Sequence, residues 1–138
     1  MHVFVTGASG HIGSAVVPEL IKAGHEVTGL ARSEASAAAV KAMGAEARRG
    51  DLADPDGLRA AAADADAVVH LAFDHATMIA GDFAGAAATD LAVVRAMGEA
   101  LAGTGKTFIG IGLTRTGDAQ RDATINANPR SAVARAIA

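Results

Sequence analysis

The sequence predicts an α/β protein with a doubly wound parallel sheet of about five strands. Short β-branched or aromatic runs, typical of buried strands, alternate with segments whose apolar residues recur at helical spacing. Strands that are apolar on both faces and joined by helical crossovers indicate a parallel sheet covered on both sides. Because no repeat or linker interrupts this alternation, we expect a single domain over residues 1–138.

The first half of the chain predicts three strands and two helices. In chain order they are Val3–Val5, a helix over Ile12–Ala23, Glu26–Leu30, a helix from Ser33 to about Met43, and the weak strand Ala45–Arg48. The Ser33 side chain is suited to cap the second helix, because a serine oxygen accepts from the amides of a first turn. Gly24 and Gly44 stand where the two helices are expected to end.

The second half predicts two more strands between helices. In chain order they are a helix from Asp54-Pro55 to about Ala63, the strand Ala67–Ala72, a helix from about Ala84 to Leu101, and the strand Thr107–Ile111. An aspartate before a proline is a favourable helix start, since the carboxylate caps and proline fits the first turn. Gly112–Ala127 has no clear period and is expected to be a loop, and Asn128-Pro129 begins a last short helix.

A glycine-rich loop links the first strand to the first helix. Its sequence, Thr-Gly-Ala-Ser-Gly-His-Ile-Gly from Thr6 to Gly13, has the spacing Gly-x-x-Gly-x-x-Gly. Between a strand and a helix, Gly7 permits a tight turn, Gly10 lets the backbone approach a pyrophosphate, and Gly13 lets the helix pack closely. The helix N-terminus then favours a bound phosphate. The alternative is a glycine-rich turn without a ligand.

This loop resembles the nucleotide-binding fingerprint of the extended short-chain dehydrogenase/reductase family, which includes NAD-dependent epimerases and dehydratases. The likeness continues through Gly24–Val27, Leu30–Ser33, Gly50–Leu52 and Val68–Ala72, and it fades after about Ile111. The resemblance implies a Rossmann-type fold whose strands lie in the order third, second, first, fourth, fifth. It also implies a dinucleotide cofactor and hydride transfer between a nicotinamide and a carbonyl or alcohol substrate.

The resemblance identifies a set of candidate cofactor-binding residues. They are Gly7, Ser9, Gly10, His11, Ile12, Gly13, Arg32, Asp51, Leu52 and Ala72. In the family the aspartate accepts from the adenine amino group, the leucine packs on the ring, and the small residue lies beside a ribose. Asp51 is equally suited to a helix entry, and His11 is also typical of a solvent-facing loop residue.

Arg32 decides which dinucleotide is expected. NAD-preferring proteins have an acidic residue at the end of the second strand, whereas this chain has Ala31-Arg32-Ser33. A carboxylate there repels a 2′-phosphate, but an arginine pairs with it through its planar fork. We therefore expect NADP(H) in preference to NAD(H), with a solvated surface arginine as the alternative.

The catalytic residues of the family are not found. Its active members use a Tyr-x-x-x-Lys pair after the fifth strand, but this chain has no tyrosine and its last lysine is Lys106. Ser131 and Arg135 have the same spacing, yet a capping serine and a surface arginine explain them better. The catalytic residues stay unassigned, and whether the chain is an enzyme stays open.

Three functions remain open at this stage. The first is an NAD(P)-dependent oxidoreductase or epimerase, the second a non-catalytic dinucleotide-binding sensor, and the third a truncated fragment of a longer reductase. The resemblance implies a C-terminal substrate half that is missing or much reduced here. The fifth strand would then be an open edge, so a homodimer through it is expected.

Composition excludes several other classes. The chain has no cysteine, and its net charge of −3 carries no nucleic-acid signature. No stretch approaches the roughly 20 apolar residues of a membrane span, so a cytoplasmic location without membrane contact is expected. His70, Asp74 and His75 lie close in sequence, but we expect structural roles rather than a metal site.

Overall fold

The computed structural model describes residues 1–111. Its strands are β1 (His2–Thr6), β2 (Glu26–Ala31), β3 (Glu46–Arg49), β4 (Ala67–His70) and β5 (Thr107–Gly110). Its helices are α1 (Gly13–Lys22), α2 (Glu34–Ala42), α3 (Pro55–Asp64), α4 (His75–Ile79) and α5 (Phe83–Leu101). The predicted segments after Ile111 lie outside the described residues.

The strands form one parallel sheet in the order β3-β2-β1-β4-β5, which confirms the predicted fold class and strand order. The central strand β1 pairs on one side with β2 and on the other with β4, where Thr6 lies opposite His70. In the described part of the sheet β5 is an edge strand, and homodimerisation through it stays a prediction.

Each face of the sheet has its own apolar core, because successive side chains of a strand point to opposite faces. Phe4 of β1 joins Leu58 of α3 and Met97 of α5 on one face. Its neighbours Val3 and Val5 join residues of α1 and α2 on the other face. Covering both faces in this way leaves the ends of the strands as the open part of the fold, where loops can form a site.

The predicted end of β4 is wrong, and the segment after it contains a helix that was not predicted. The strand ends at His70 rather than Ala72. The Leu71 amide is shared between the carbonyl and hydroxyl oxygens of Thr6, each at 3.2 Å, and the Ala72 amide donates to the hydroxyl oxygen alone, at 3.2 Å. The segment that follows contains the short helix α4, which the sequence analysis did not predict. As a result, the residues that follow β4 lie over the end of β1, next to the glycine-rich loop.

In residues 1–111, no helix combines the length and apolarity that crossing a membrane requires.

Candidate functional site

The carboxyl ends of the parallel strands surround a cavity of about 500 Å³. All ten residues predicted from the sequence line it: Gly7, Ser9, Gly10, His11, Ile12, Gly13, Arg32, Asp51, Leu52 and Ala72. They come from loops after β1, β2, β3 and β4, so only the sheet topology brings them together. A crevice at this edge of an open α/β sheet is where such folds bind ligands.

The glycine loop (residues 7–13) depends on the absence of side chains at two positions. Gly7 has φ +70°, and a Cβ there would lie 2.8 Å from the Ala72 amide nitrogen. A Cβ on Gly13 would lie 2.1 Å from the Gly7 carbonyl oxygen. Gly10 closes the loop by donating its amide to the Gly7 carbonyl at 3.0 Å. The loop thus brings its backbone directly to the cavity.

The N-terminus of α1 at this loop has no side-chain cap. In α2, α3, α4 and α5 a serine or aspartate oxygen accepts an amide of the first turn. Within residues 1–111, the amides of His11, Ile12 and Gly13 donate to neither backbone nor side-chain oxygens. Together with the positive end of the helix dipole, these donors form a site suited to an anion.

A basic edge of the cavity follows β2. Arg32, Ser33 and Ser36 line it, and Ser33 caps α2 by accepting the Ser36 amide at 3.1 Å. Among the described residues Arg32 enters none of the ion pairs, whereas Arg49 pairs with Glu34 and Arg59 with Glu99. Its charge therefore stays available to a ligand at this edge.

The loop after β3, the strand next to β2, carries Asp51 and Leu52. The Asp51 carboxylate accepts the Ala53 amide at 2.9 Å, which fixes the side chain at the start of the loop. Leu52 packs in part against the core and in part lines the cavity. A carboxylate beside an apolar surface can hold a flat, hydrogen-bonding ring.

A buried polar chain supports the cavity from below. Thr6 Oγ1 lies 2.7 Å from His70 Nδ1, and His70 Nε2 lies 3.0 Å from Asp90 Oδ1. Because Thr6 Oγ1 already accepts the amides of Leu71 and Ala72, its own hydrogen is free to go to His70 Nδ1. His70 then donates from Nε2 to Asp90, so β1, β4 and α5 are joined beneath the site.

Asp74 begins α4 at the cavity rim. The pKa of Asp74 lies below its ordinary value, chiefly because the Thr77 hydroxyl donates to its carboxylate at 2.6 Å and the Thr77 amide at 3.0 Å. The positive charges of Arg32 and His75 lower the pKa further. Asp74 is thus an ionised helix cap with a cationic neighbour across the cavity.

Seven lining residues were missed by the sequence analysis: Leu30, Ser33, Ser36, Gly50, Leu71, Phe73 and His75. Each lies within four residues of a predicted one, so the ends of the predicted strands were a signal that could have found them. Phe73 and His75 also form an aromatic pair, with ring centroids 5.6 Å apart.

His70, Asp74 and His75 have separate surroundings. His70 belongs to the buried chain, Asp74 caps α4, and the His75 ring meets the Phe73 ring edge to face. In the described part of the chain, no group of three histidine, cysteine, aspartate or glutamate side chains is arranged to hold a metal ion.

Lys106 is not at the cavity. Its Nζ donates to the Ala63 carbonyl at 2.9 Å, and it precedes β5, whereas the cavity lies where the strands end. Ser131 and Arg135 lie outside the described residues. The described site therefore contains groups suited to an anion and a ring, but no tyrosine–lysine pair.

The family model for the NAD dependent epimerase/dehydratase family matches residues 3–112. The chain belongs to this family. The match confirms the resemblance to short-chain dehydrogenases/reductases, and it spans the sheet except His2 and every residue of the cavity. By its description, the epimerase/dehydratase family uses a nicotinamide dinucleotide.

Two curated relatives of this epimerase/dehydratase chain are fungal proteins described as uncharacterized. The Schizosaccharomyces pombe protein is 44% identical over 114 residues, 83% of this chain and 38% of its own. The Saccharomyces cerevisiae protein is 46% identical over 111 residues, 79% of this chain and 36% of its own. The chain thus spans little more than a third of the length of these relatives.

The solved structure of an epimerase is similar in fold to this chain. UDP-glucose-4-epimerase from Stenotrophomonas maltophila, with bound NAD and formylated UDP-arabinopyranose, matches with a TM-score of 0.64 and 26% identity. The match covers 80% of this chain and 36% of the epimerase.

Proposed function

We propose that residues 1–111 form the dinucleotide-binding part of an NAD(P)-dependent oxidoreductase or epimerase, with NADP(H) as the preferred cofactor. The observation that carries this proposal is the uncapped N-terminus of α1, whose residues line the same cavity as Arg32 and Asp51. Membership of an NAD-dependent family and the NAD bound to a similar epimerase support the binding of a dinucleotide. The preference for NADP(H) is supported only by Arg32 at the cavity.

Each part of the cavity has one role in the proposal. The glycine loop and the amides of α1 hold the pyrophosphate, which the helix dipole also attracts. Asp51 and Leu52 hold the adenine, and Arg32 with the capped start of α2 holds the 2′-phosphate. Ser9, His11 and Ile12 line the pyrophosphate side, and Ala72 leaves room beside a ribose.

The cofactor would exchange a hydride with a carbonyl or alcohol carbon of a small-molecule substrate. The 138 residues supply no tyrosine for the accompanying proton transfer. The absence of a tyrosine from the 138 residues favours a second candidate function, which is dinucleotide binding without turnover. Oxidation of NADPH in the presence of ketones or aldehydes distinguishes the two, since only the oxidoreductase consumes the cofactor.

The cofactor preference is tested by replacing Arg32 with Ala. Losing hydrogen bonds to a charged phosphate should weaken NADPH binding about tenfold or more, with little change for NADH. Binding is measured by nicotinamide fluorescence. Arg59→Ala is the matched control, because Arg59 pairs with Glu99 away from the cavity. Equal losses for both cofactors would refute the phosphate assignment, and absence of binding to either would refute the proposed function.

A further inference from the structure

A buried chain of side-chain hydrogen bonds lies beneath the cavity without forming part of its lining. It runs from Thr6 to His70 at 2.7 Å and from His70 to Asp90 at 3.0 Å. Thr6 is fully buried and His70 is only 3% exposed. None of the three is among the described residues that line the cavity. Any effect that they have on a ligand there must therefore pass through other residues.

The contacts of the Thr6 hydroxyl allow only one arrangement of hydrogens. A hydroxyl accepts through two lone pairs and donates one hydrogen. The amides of Leu71 and Ala72 occupy the two lone pairs, each at 3.2 Å. The hydroxyl hydrogen therefore goes to His70 Nδ1, and this nitrogen can carry no hydrogen of its own.

Asp90 selects the tautomer of His70 that this arrangement needs. A neutral histidine with a bare Nδ1 carries its hydrogen on Nε2, and Asp90 Oδ1 accepts it. A hydrogen on Nδ1 would instead bring a third donor to the Thr6 oxygen and leave the hydroxyl hydrogen without an acceptor. Because the site is buried, an unpaired hydrogen there is unfavourable.

The position of Asp90 is set by the packing of α5. Val93 and Met97 follow Asp90 by three and seven residues, and three- and seven-residue intervals lie on one face of a helix. Both are fully buried in the same core as Phe4 of β1. Asp90 thus lies on the face of α5 that packs on the sheet, where its carboxylate reaches His70.

The two amides that Thr6 accepts belong to the wall of the cavity. Leu71 and Ala72 both line it. A Cβ on Gly7 would lie 2.8 Å from the Ala72 amide nitrogen and 2.9 Å from the Leu71 carbonyl carbon. The segment after β4 therefore lies directly against the start of the glycine loop, so a shift of this segment would alter the wall and the loop together.

We propose that His70 and Asp90 are positioning residues of the dinucleotide site, which act through the Thr6 hydroxyl on the backbone of Leu71 and Ala72. The inference rests on the proposed function, because the dinucleotide is the ligand whose affinity they set. What residue 90 supplies is an oxygen that accepts from His70 Nε2, and not a negative charge as such. The helix α5 is thereby coupled to the cofactor, although it contributes no residue to the described cavity.

The test compares two substitutions of Asp90 in the 138-residue chain, labelled with ¹⁵N at histidine. Long-range ¹H–¹⁵N spectra show which ring nitrogen carries the hydrogen, and nicotinamide fluorescence gives the Kd for NADPH. Asp90→Leu removes the acceptor, so His70 should lose the Nε2–H tautomer and the Kd should rise about tenfold. Asp90→Asn keeps an oxygen acceptor and should retain both the tautomer and a Kd within about twofold of wild type.

Asp82→Ala is the matched control on the same helix. Asp82 caps α5 by accepting the Gly85 amide at 2.8 Å and is not among the described residues that line the cavity. Losing this cap lowers stability without removing a partner of His70. The His70 tautomer and the Kd for NADPH should therefore stay unchanged.

A double-mutant cycle tests the route through Thr6. Thr6→Val has no hydroxyl for His70 to orient, so adding Asp90→Leu to it should raise the Kd for NADPH by less than about twofold further. Multiplication of the two separate effects would overturn the inference. If Thr6→Val does not fold, the two Asp90 variants and the tautomer decide alone.

Three further outcomes would overturn the inference. They are a hydrogen on Nδ1 of His70 in the wild type, equal losses of affinity in Asp90→Leu and Asp90→Asn, and an unchanged Kd in Asp90→Leu. Each refutes only the positioning role when the wild type binds NADPH. If the wild type binds no dinucleotide, the proposed function itself fails, and the inference fails with it whatever the tautomer of His70.

Discussion

At the scale of single residues, the glycine loop shows that each glycine has a different reason to be there. Gly7 adopts a left-handed conformation that other residues rarely adopt, and it touches the backbone after β4. Gly13 is fixed by contact alone, since a Cβ would meet two carbonyl oxygens of its own loop. Gly10 is less constrained, because its Cβ would lie 3.2 Å from the Gly7 oxygen.

Gly13→Ala should lower the free energy of unfolding by about 2–4 kcal/mol, because the backbone of the loop must move to accept the methyl group. Urea unfolding measures the change. Gly98→Ala is the control: Gly98 lies inside α5 with no atom near its Cβ position, so alanine should raise the free energy by about 0.5–1 kcal/mol. Equal stability of wild type and Gly13→Ala would contradict the close contact seen here.

At the scale of elements, the strands and long helices were predictable because their signals are local. Helix caps such as Ser33 and Asp54 accept the first-turn amides as the sequence suggested. The helix α4 was not predictable from periodicity, since its five residues span little more than one turn. The end of β4 was also missed, because it depends on Thr6, a residue far away in sequence.

The start of α4 should be sensitive to acid. The Asp74 pKa is lowered in the folded state, so its ionised form stabilises the fold above its ordinary pKa, and this contribution is lost as the pH falls through the lowered value. Thr77→Val removes the hydroxyl that donates to Asp74 and should raise the Asp74 pKa towards normal. Carboxyl NMR titration measures it.

Thr77→Ser is the matched control for this titration, since it keeps the hydroxyl and should keep the Asp74 pKa low. An unchanged pKa in Thr77→Val would assign the shift to the remaining amide and to the charges of Arg32 and His75 instead.

At the scale of the whole molecule, the cavity is a product of strand order. Ten lining residues were predicted from the sequence, but they lie in four separate loops, and no single loop forms the cavity. The resemblance to a family predicted the strand order and therefore that these loops lie together. It did not name Phe73 and His75, although both follow the predicted end of β4 and line the cavity.

Because the proposed cofactor contacts loops after four different strands, its binding should stabilise the fold as a whole. NADPH at a hundred times its Kd should raise the free energy of unfolding by about 2.7 kcal/mol. Thermal unfolding monitored by circular dichroism checks this. The Arg32→Ala variant at the same NADPH concentration should show a smaller rise, and no rise in the wild type would contradict the proposal.

The pairing of Thr6 with His70 limits how this site could be engineered. Residues 64 positions apart in sequence share one hydrogen bond, and the histidine also needs the carboxylate of Asp90 on α5. A designer who grafts the glycine loop onto another sheet must therefore transfer three residues from three elements as a unit. Transferring β1 and the loop without His70 and Asp90 would leave the Thr6 hydroxyl in a dry interior without its acceptor, a cost that the loop sequence does not reveal.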